Sequence, residues 1–293
     1  MTPAAETLVA ASERGVLAQI AISIARDRVS LSFFVVLVAI VLVAVFAPEI
    51  APYDPIAQSL LSINLPPSAE HWLGTDQFGR DVLSRIFYGA RTSLLLGVTA
   101  PVIAAVIGTV FGVTAGYFGG WTDRIIGRFL DIFLAFPALL LGILIAAALG
   151  AGFWNMVVVL TVAFAPRFAR IARASTMAIR SEAFIEAAIA SGMRTPAIML
   201  HHILPNIAGS IVVVLTLWVA TAVRLEATLS FLGLGTQPPK ASWGNIIRDG
   251  LGNLFGSPWP IVAAGLAITV TVLAFNMLGD AVRDILDPEV RDE

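Results

Sequence analysis

Residues 132–166 read IFLAFPALLLGILIAAALGAGFWNMVVVLTVAFAP, without an acidic or basic side chain. As one α-helix this stretch would rise about 52 Å at 1.5 Å per residue, which exceeds the ~30 Å hydrocarbon core of a bilayer. Gly150 and Gly152 stand near its middle and favour a tight turn, and Trp154 favours the headgroup level. The stretch therefore predicts two membrane helices joined by a turn.

Four other stretches also lack Asp, Glu, Lys and Arg: 29–48, 92–122, 195–223 and 250–279. Each has about 20 residues or more, the length that crosses a bilayer as a helix. Charged residues make up only 13% of the chain and apolar residues 58%, whereas soluble domains carry about 25% charged residues. The sequence predicts an all-α membrane protein with about six spans, at about 29–47, 93–116, 128–149, 153–172, 207–229 and 259–279.

The arginine and lysine residues predict the orientation of these spans. One transmembrane domain over 29–288 would lie between an N-terminal segment, 1–28, and a tail, 289–293. With both termini in the cytoplasm, twelve of the 18 basic residues fall inside and five outside, as the positive-inside rule requires. Two segments rich in Pro, Gly and Trp, about 48–92 and 230–258, then form ordered caps outside.

Composition also disfavours several classes of function. The chain has no cysteine, and its net charge of −2 gives no electrostatic case for nucleic acid binding. Ion-coupled secondary transporters place ionisable groups near the bilayer midplane, but the centres of the predicted spans lack charge. A membrane-embedded enzyme is equally disfavoured, because His71, His201 and His202 all lie outside the spans. We expect no metal site, since His71 has no partner and adjacent histidines point to different faces of a helix.

Residues 181–206, SEAFIEAAIASGMRTPAIMLHHILPN, lie between the fourth and fifth predicted spans. Residues 182–191 favour a helix, Gly192 stops it, and Thr195-Pro196 can start another. Pro205 is predicted to end that second helix before the next span. The segment therefore predicts a short helix-turn-helix outside the bilayer.

This segment resembles the EAA loop of binding-protein-dependent ABC permeases, through Glu186-Ala187-Ala188, Gly192 and Leu204-Pro205. His202 departs from that pattern, which usually has an aliphatic residue two positions before Leu-Pro. Several other stretches closely resemble the C-type permease subunits of dipeptide, oligopeptide and nickel ABC importers. They are HWLGTDQFGRDVLSR (71–85), LSFLGLG (229–235), WGN (243–245), NMLGD (276–280) and RDILDP (283–288).

The resemblance implies a type I ABC importer permease fold with a cytoplasmic coupling helix, in the bacterial inner membrane. The expected partners are a homologous permease subunit, two cytoplasmic ATPases and an extracytoplasmic solute-binding protein. ATP and Mg would bind to the ATPases rather than to this chain, which is a transport subunit and not an enzyme; the sequence has no G-x-x-x-x-G-K-[ST] loop. The solute stays open among dipeptides, longer peptides, glutathione, opine-like conjugates and chelated nickel. The resemblance assigns ATPase coupling to Glu186, Ala187, Ala188, Gly192, Leu204 and Pro205.

Charged residues near the ends of the spans are further candidates. Arg224 and Glu226 lie near the outer end of the fifth span, so they are expected to line the solute pathway or to face a subunit interface or the outer rim. Arg167, Arg170 and Arg173 recur every three residues, which predicts contact with lipid phosphates or with an ATPase.

The first outer segment carries four charged residues close together in sequence: Asp76, Arg80, Asp81 and Arg85. Opposite charges at this spacing can pair within the loop. We expect them to lock the loop internally rather than to perform chemistry.

Overall fold

The computed structural model describes residues 27–286, which are helical apart from connecting segments and one isolated bridge between Thr75 and Asp81. Short 3-10 turns cover Leu60–Ser62 and Leu251–Asn253, and a π-helical segment covers Met199–Ile203. The predicted tail 289–293 and nearly all of the N-terminal segment 1–28 lie outside the described residues. The α-helices are α1 Arg28–Val45, α2 Ala47–Ile50, α3 Val82–Phe118, α4 Gly120–Leu134, α5 Ala138–Leu149, α6 Phe153–Arg180, α7 Ala183–Ala190, α8 Thr195–Ile198, α9 Leu204–Phe231, α10 Trp243–Gly250 and α11 Trp259–Leu286.

Five helices within residues 27–286 are long and apolar enough to cross a membrane. They are α1, α3, α6, the continuous run Thr195–Phe231 and most of α11. A sixth crossing requires α4 and α5 to be taken together, although their axes are bent by 88° at the break between them. The predicted class, an all-α membrane protein with about six spans, is confirmed.

The predicted third span, one helix over 128–149, differs from the structure. The chain breaks after Leu134 and resumes as a helix at Ala138. Pro137, with φ −56° and ψ 134°, stands at this break. Proline disfavours helical geometry at the residue before it and lacks the N–H that an α-helix needs. The predicted span rested on the length of the apolar stretch and did not take this proline into account.

The predicted turn between the third and fourth spans is present. Gly150 and Gly152 have φ angles of 81° and 151°, which favour glycine. The Asn155 side chain donates hydrogen bonds to the carbonyls of Leu149, at 2.8 Å, and Gly150, at 3.2 Å. These bonds satisfy carbonyls at the end of α5 that have no partner within the helix.

The first span begins at a side-chain cap. The Asp27 carboxylate accepts hydrogen bonds from the backbone N–H groups of Val29, at 3.2 Å, and Ser30, at 2.8 Å. The Ser30 hydroxyl also donates to the Asp27 carboxylate. Together these hydrogen bonds hold the pKa of Asp27 below its usual range, and the bond from the Ser30 hydroxyl contributes most. An ionised cap next to the helix N-terminus stabilises the start of α1.

The centre of the fold is the packing of α3 against α6, along a row of glycines spaced four residues apart in α3. A Cβ atom added at these glycines would lie only 2.7–2.8 Å from a Cβ atom of α6. Small residues at such spacing allow two membrane helices to approach closely. The facing pairs are Gly108 with Phe168, Gly112 with Ala172, and Gly116 with Thr176.

The connecting segments gather at two opposite ends of the helices. At one end lie residues 51–81 and 232–258, hereafter the cap, because α3 begins and α9 ends there. The cap is tied to the helices by Trp243, whose indole N–H donates to the Ile86 carbonyl at 3.1 Å. At the other end lies the helical loop, residues 181–203, because α6 ends and α9 begins there.

The glycine row makes a direct prediction. Gly112→Ala should destabilise the protein by about 1–3 kcal/mol, because the added methyl overpacks the contact between α3 and α6. Gly265→Ala is the matched control, since it adds the same methyl within α11, where nothing lies within 4 Å of the new atom. Thermal unfolding of the two detergent-solubilised variants measures the difference. Equal melting temperatures would contradict close packing at Gly112.

Candidate functional site

The helical loop begins with α7, whose two faces differ. Ile185 and Ala188 are buried in an apolar cluster that also contains side chains of α3, α6 and α9. Phe184 and Ile189 are 43% and 52% exposed, and Glu186 lies on the same open side. The helix is therefore held to the bundle by one face, while the other presents apolar surface and one carboxylate.

Gly192 ends α7 in the left-handed conformation, with φ 80°. The Gly192 N–H donates to the Ile189 carbonyl at 3.0 Å, and the Met193 N–H donates to the Ala188 carbonyl at 3.1 Å. This pair of bonds is the Schellman motif, in which glycine is favoured because it has no Cβ to strain the backbone. The predicted helix stop at Gly192 is therefore present.

The predicted helix end at Pro205 is wrong. The helix that starts at Thr195 continues through the π-helical segment into α9, so Thr195–Phe231 runs without a break. The Leu204 N–H bonds to the Met199 carbonyl, five residues back. Such a wider turn just before Pro205 accommodates a residue that has no N–H and would crowd a regular turn. Leu204 and Pro205 are both exposed at the start of α9.

A buried cluster of two arginines and two aspartates lies where the cap meets the first turn of α3. Asp76 accepts from Arg80 at 2.7 Å and lies 3.3 Å from Arg85. The second carboxylate is that of Asp249, which is 3.2 Å from Arg80 and 3.8 Å from Arg85. Both arginine side chains are only 2–3% exposed, so the cluster joins the two segments of the cap inside the protein.

Sequence reasoning missed Asp249, although a signal was available. Two buried arginines need more than one carboxylate, since an unpaired buried charge is costly. Asp249 is the only acidic residue in the predicted outer segment 230–258, and it was therefore the available partner.

Asp81 lies apart from that cluster. Its carboxylate accepts a hydrogen bond from the Ser84 N–H at 2.8 Å, which caps α3, and another from the Ser84 hydroxyl at 2.7 Å. Its other oxygen is 2.9 Å from Nδ1 of His71. Asp81 thus holds the cap to the first turn of α3.

Glu226 is buried within the chain, with no exposed surface. Its carboxylate accepts a hydrogen bond from Ser230 at 2.6 Å. The interpretation that Glu226 lines a pathway or a subunit interface does not fit this position, because the side chain faces the inside of its own subunit. Arg224 is exposed, and its guanidinium lies 3.4 Å from the Thr221 hydroxyl.

The three arginines of α6 mostly contact this chain itself. Arg170 pairs with Asp131 at 2.9 Å, and Arg173 pairs with Asp123. Both aspartates belong to α4, which these pairs hold against α6. Arg167 lies over the Trp218 ring at 5.1 Å. The charge of Arg173 is paired within the chain, and contact of these arginines with lipid phosphates or an ATPase stays a prediction.

No group of three His, Asp or Glu side chains within residues 27–286 is arranged to hold a metal ion.

Comparisons with known families match most of the chain. A family model described as the binding-protein-dependent transport system inner membrane component matches residues 108–292. A second model, described as the N-terminal TM domain of oligopeptide transport permease C, matches residues 17–67.

Several curated relatives and solved structures are similar to this chain. Glutathione transport system permease proteins GsiD from Escherichia coli O6:K15:H31 and Shigella boydii serotype 4 are each 42% identical over 269 residues, covering 91% of this chain and 88% of the relative. Two crystal forms of the inward-facing MetNI methionine ABC transporter match at TM-scores of 0.53 and 0.54, with 21% and 22% identity. Each match covers 70% of this chain and 95% or 96% of the other, which supports a shared fold.

The buried cluster makes a second prediction. Asp249→Ala should cost about 3–5 kcal/mol, because it leaves Arg80 and Arg85 buried with one carboxylate between them. Arg248→Ala is the matched control, since Arg248 pairs with the same carboxylate at 3.1 Å but is 30% exposed, and such surface pairs contribute only about 0–1 kcal/mol. Thermal unfolding and limited proteolysis of residues 51–81 compare the two. Similar losses in both variants would mean that burial of the cluster has no energetic consequence.

Proposed function

Because the chain belongs to the peptide and nickel family of ABC importer permeases, the inner membrane components of binding-protein-dependent transport systems, we propose that it forms half of a translocation pathway for peptide-like solutes. The support for the solute class is the 42% identity to glutathione permeases over 91% of the chain. Glutathione is a tripeptide, and the match to the oligopeptide permease C model agrees with that class.

The exposed face of α7 is the observation that carries the coupling mechanism. Phe184 and Ile189 present apolar surface at the end of the bundle, and no described part of this chain covers them. Exposed apolar patches outside the bilayer commonly mark contact with another protein. We assign this face to a groove of a partner ATPase, and Glu186 to a polar contact at its edge.

The anchored face of α7 would carry motion into the membrane. Ile185 and Ala188 are packed in one cluster with Val113 of α3 and Ala172 of α6. A displacement of α7 by an ATPase would therefore push directly on the two helices at the centre of the fold. ATP and Mg would bind to the ATPases, and this chain would contribute motion rather than chemistry.

The distribution of basic residues supports an orientation with the helical loop in the cytoplasm and the cap outside. Twelve of the 18 Lys and Arg residues then lie on the cytoplasmic side, as the positive-inside rule requires. The cap would face the solute-binding protein, and the homologous permease would pack beside this chain in the bacterial inner membrane.

The assignment predicts the outcome of a transport assay. The complete importer, reconstituted in liposomes with its binding protein outside and ATP inside, should take up labelled glutathione or dipeptides only when ATP is hydrolysed. A nickel chelate and an opine conjugate tested in parallel identify the solute branch. Uptake driven by an ion gradient without ATP would contradict the importer mechanism, and transport restricted to nickel chelates would contradict the peptide-like solute.

Gly192 tests the coupling mechanism. Gly192→Val should destabilise the left-handed turn by about 1–2 kcal/mol, through backbone strain alone, because nothing lies within 4 Å of the added Cβ. We expect weaker co-purification of the ATPases and loss of ATP-dependent uptake, with the permease pair still in the membrane. Gly192→Asn is the matched control, since asparagine tolerates this conformation and should retain both properties. Normal uptake in Gly192→Val would mean that the helical loop is only a surface turn.

A further inference from the structure

A pocket of about 560 Å³ opens at the cap end of the helices. Its walls come from four parts of the chain: the first turns of α3, the start of α6 and both segments of the cap. The volume lies in the range of small-molecule sites, about 300–1,000 Å³. Tyr88 and Phe153 supply aromatic surface to it, so the pocket combines apolar walls with the polar groups described next.

Two cations of the cap end line this pocket, Arg91 and Lys240. Three other basic residues near the pocket, Arg80, Arg85 and Arg248, are all paired with aspartates. Arg91 and Lys240, by contrast, have no ion pair within residues 27–286, and both are exposed. The cap thus neutralises its structural arginines and leaves two positive charges facing one pocket.

A buried threonine also lies in the same wall. Thr236 lines the pocket and is only 3% exposed. Its Oγ1 atom is buried without a hydrogen-bond partner among the described residues. Because this oxygen has almost no accessible surface, a ligand in the pocket would reach it only after the Thr236 side chain turned. The charged groups of the pocket, and not this hydroxyl, therefore indicate the chemistry of the ligand.

One carboxylate also lines the pocket, that of Asp54. It accepts a hydrogen bond from the Ile56 N–H at 2.9 Å through one oxygen, which leaves acceptor capacity for a cation. Two positive charges and one negative charge suit a ligand that carries both a carboxylate and an ammonium group. They do not suit a free metal cation, which the net positive charge would repel.

We propose that this pocket binds the carboxylate-bearing end of a peptide-like solute as it enters the permease. Arg91 and Lys240 bind the carboxylate, and Asp54 faces the amino group. This proposal rests on the proposed function. It adds that the membrane subunit itself, and not only the binding protein, selects the solute. A phospholipid headgroup offers the same two charges, and the experiment below separates the two sources.

The first arm of the test measures uptake by the complete importer. Wild type should transport a tripeptide with a free C-terminal carboxylate more efficiently than the same tripeptide with a C-terminal amide. The double variant Arg91→Gln with Lys240→Gln should lose about tenfold or more in kcat/KM for the free acid, the effect of losing charge-assisted hydrogen bonds, while the amide changes little. Arg248→Gln is the control, because Arg248 lies at the cap end but outside the pocket lining.

The second arm removes the binding protein, whose own selectivity would otherwise contribute. The chain has no cysteine, so a single Leu95→Cys variant places one thiol in this chain, at a pocket residue that is 49% exposed. In the purified transporter, the free-acid tripeptide should slow maleimide labelling of this thiol, and the amide should not. Val98→Cys, on the same helix and 39% exposed, should label at the same rate with either peptide.

The outcomes separate the two proposals. If wild type shows no ATP-dependent peptide uptake, the proposed function fails and this site fails with it. If uptake is normal but the double variant keeps its preference for the free acid, and Leu95→Cys is not protected, only the pocket assignment is overturned. Protection of Leu95→Cys by added phosphatidylethanolamine and not by the tripeptide would identify a lipid headgroup site, which also overturns the assignment.

Discussion

The close approach of α3 and α6 is the constraint on which the rest of the molecule depends. Glycines 108, 112 and 116 remove the side chains that would otherwise separate two helices of 37 and 28 residues. Without a hydrophobic driving force between helices in lipid, such close packing is what holds a bundle together. The helical loop packs onto the end of this pair, through Val113 and Ala172, and the cap is tied to the first turn of α3.

The two ends of the bundle differ in where their charged side chains lie. In the cap, Asp76 and Asp249 neutralise Arg80 and Arg85 inside the protein, so that two distant segments are held together as one unit. At the other end, α4 is linked to α6 by ion pairs nearer the surface, Arg170 with Asp131 and Arg173 with Asp123. The exposed face of α7, in contrast, has an apolar surface that no residue between 27 and 286 covers.

These features fit the division of labour expected of an importer permease. The closely packed central helix pair connects the helical loop, for which we propose contact with an ATPase, with the cap, for which we propose contact with the solute. At the cap end the paired charges serve structure, whereas Arg91 and Lys240 have no ion pair within residues 27–286 and are the proposed binding groups. The proposed solute class rests on the glutathione permease relatives, and the proposed pocket would recognise a carboxylate on such a solute.

The sequence by itself determined the fold class, because the absence of charge over bilayer-length stretches leaves a chain few alternatives. It also determined the turn at Gly150 and Gly152 and the helix stop at Gly192, since glycine acts locally through its backbone freedom. Only the tertiary structure decided that Asp249 joins Arg80 and Arg85, that Glu226 turns inward to Ser230, and that the helix continues past Pro205. The first two depend on how separate helices and loops pack, which spacing along the chain does not encode. The third depends on a local choice between two helical hydrogen-bond patterns, of which the wider one accommodates Pro205 without ending the helix.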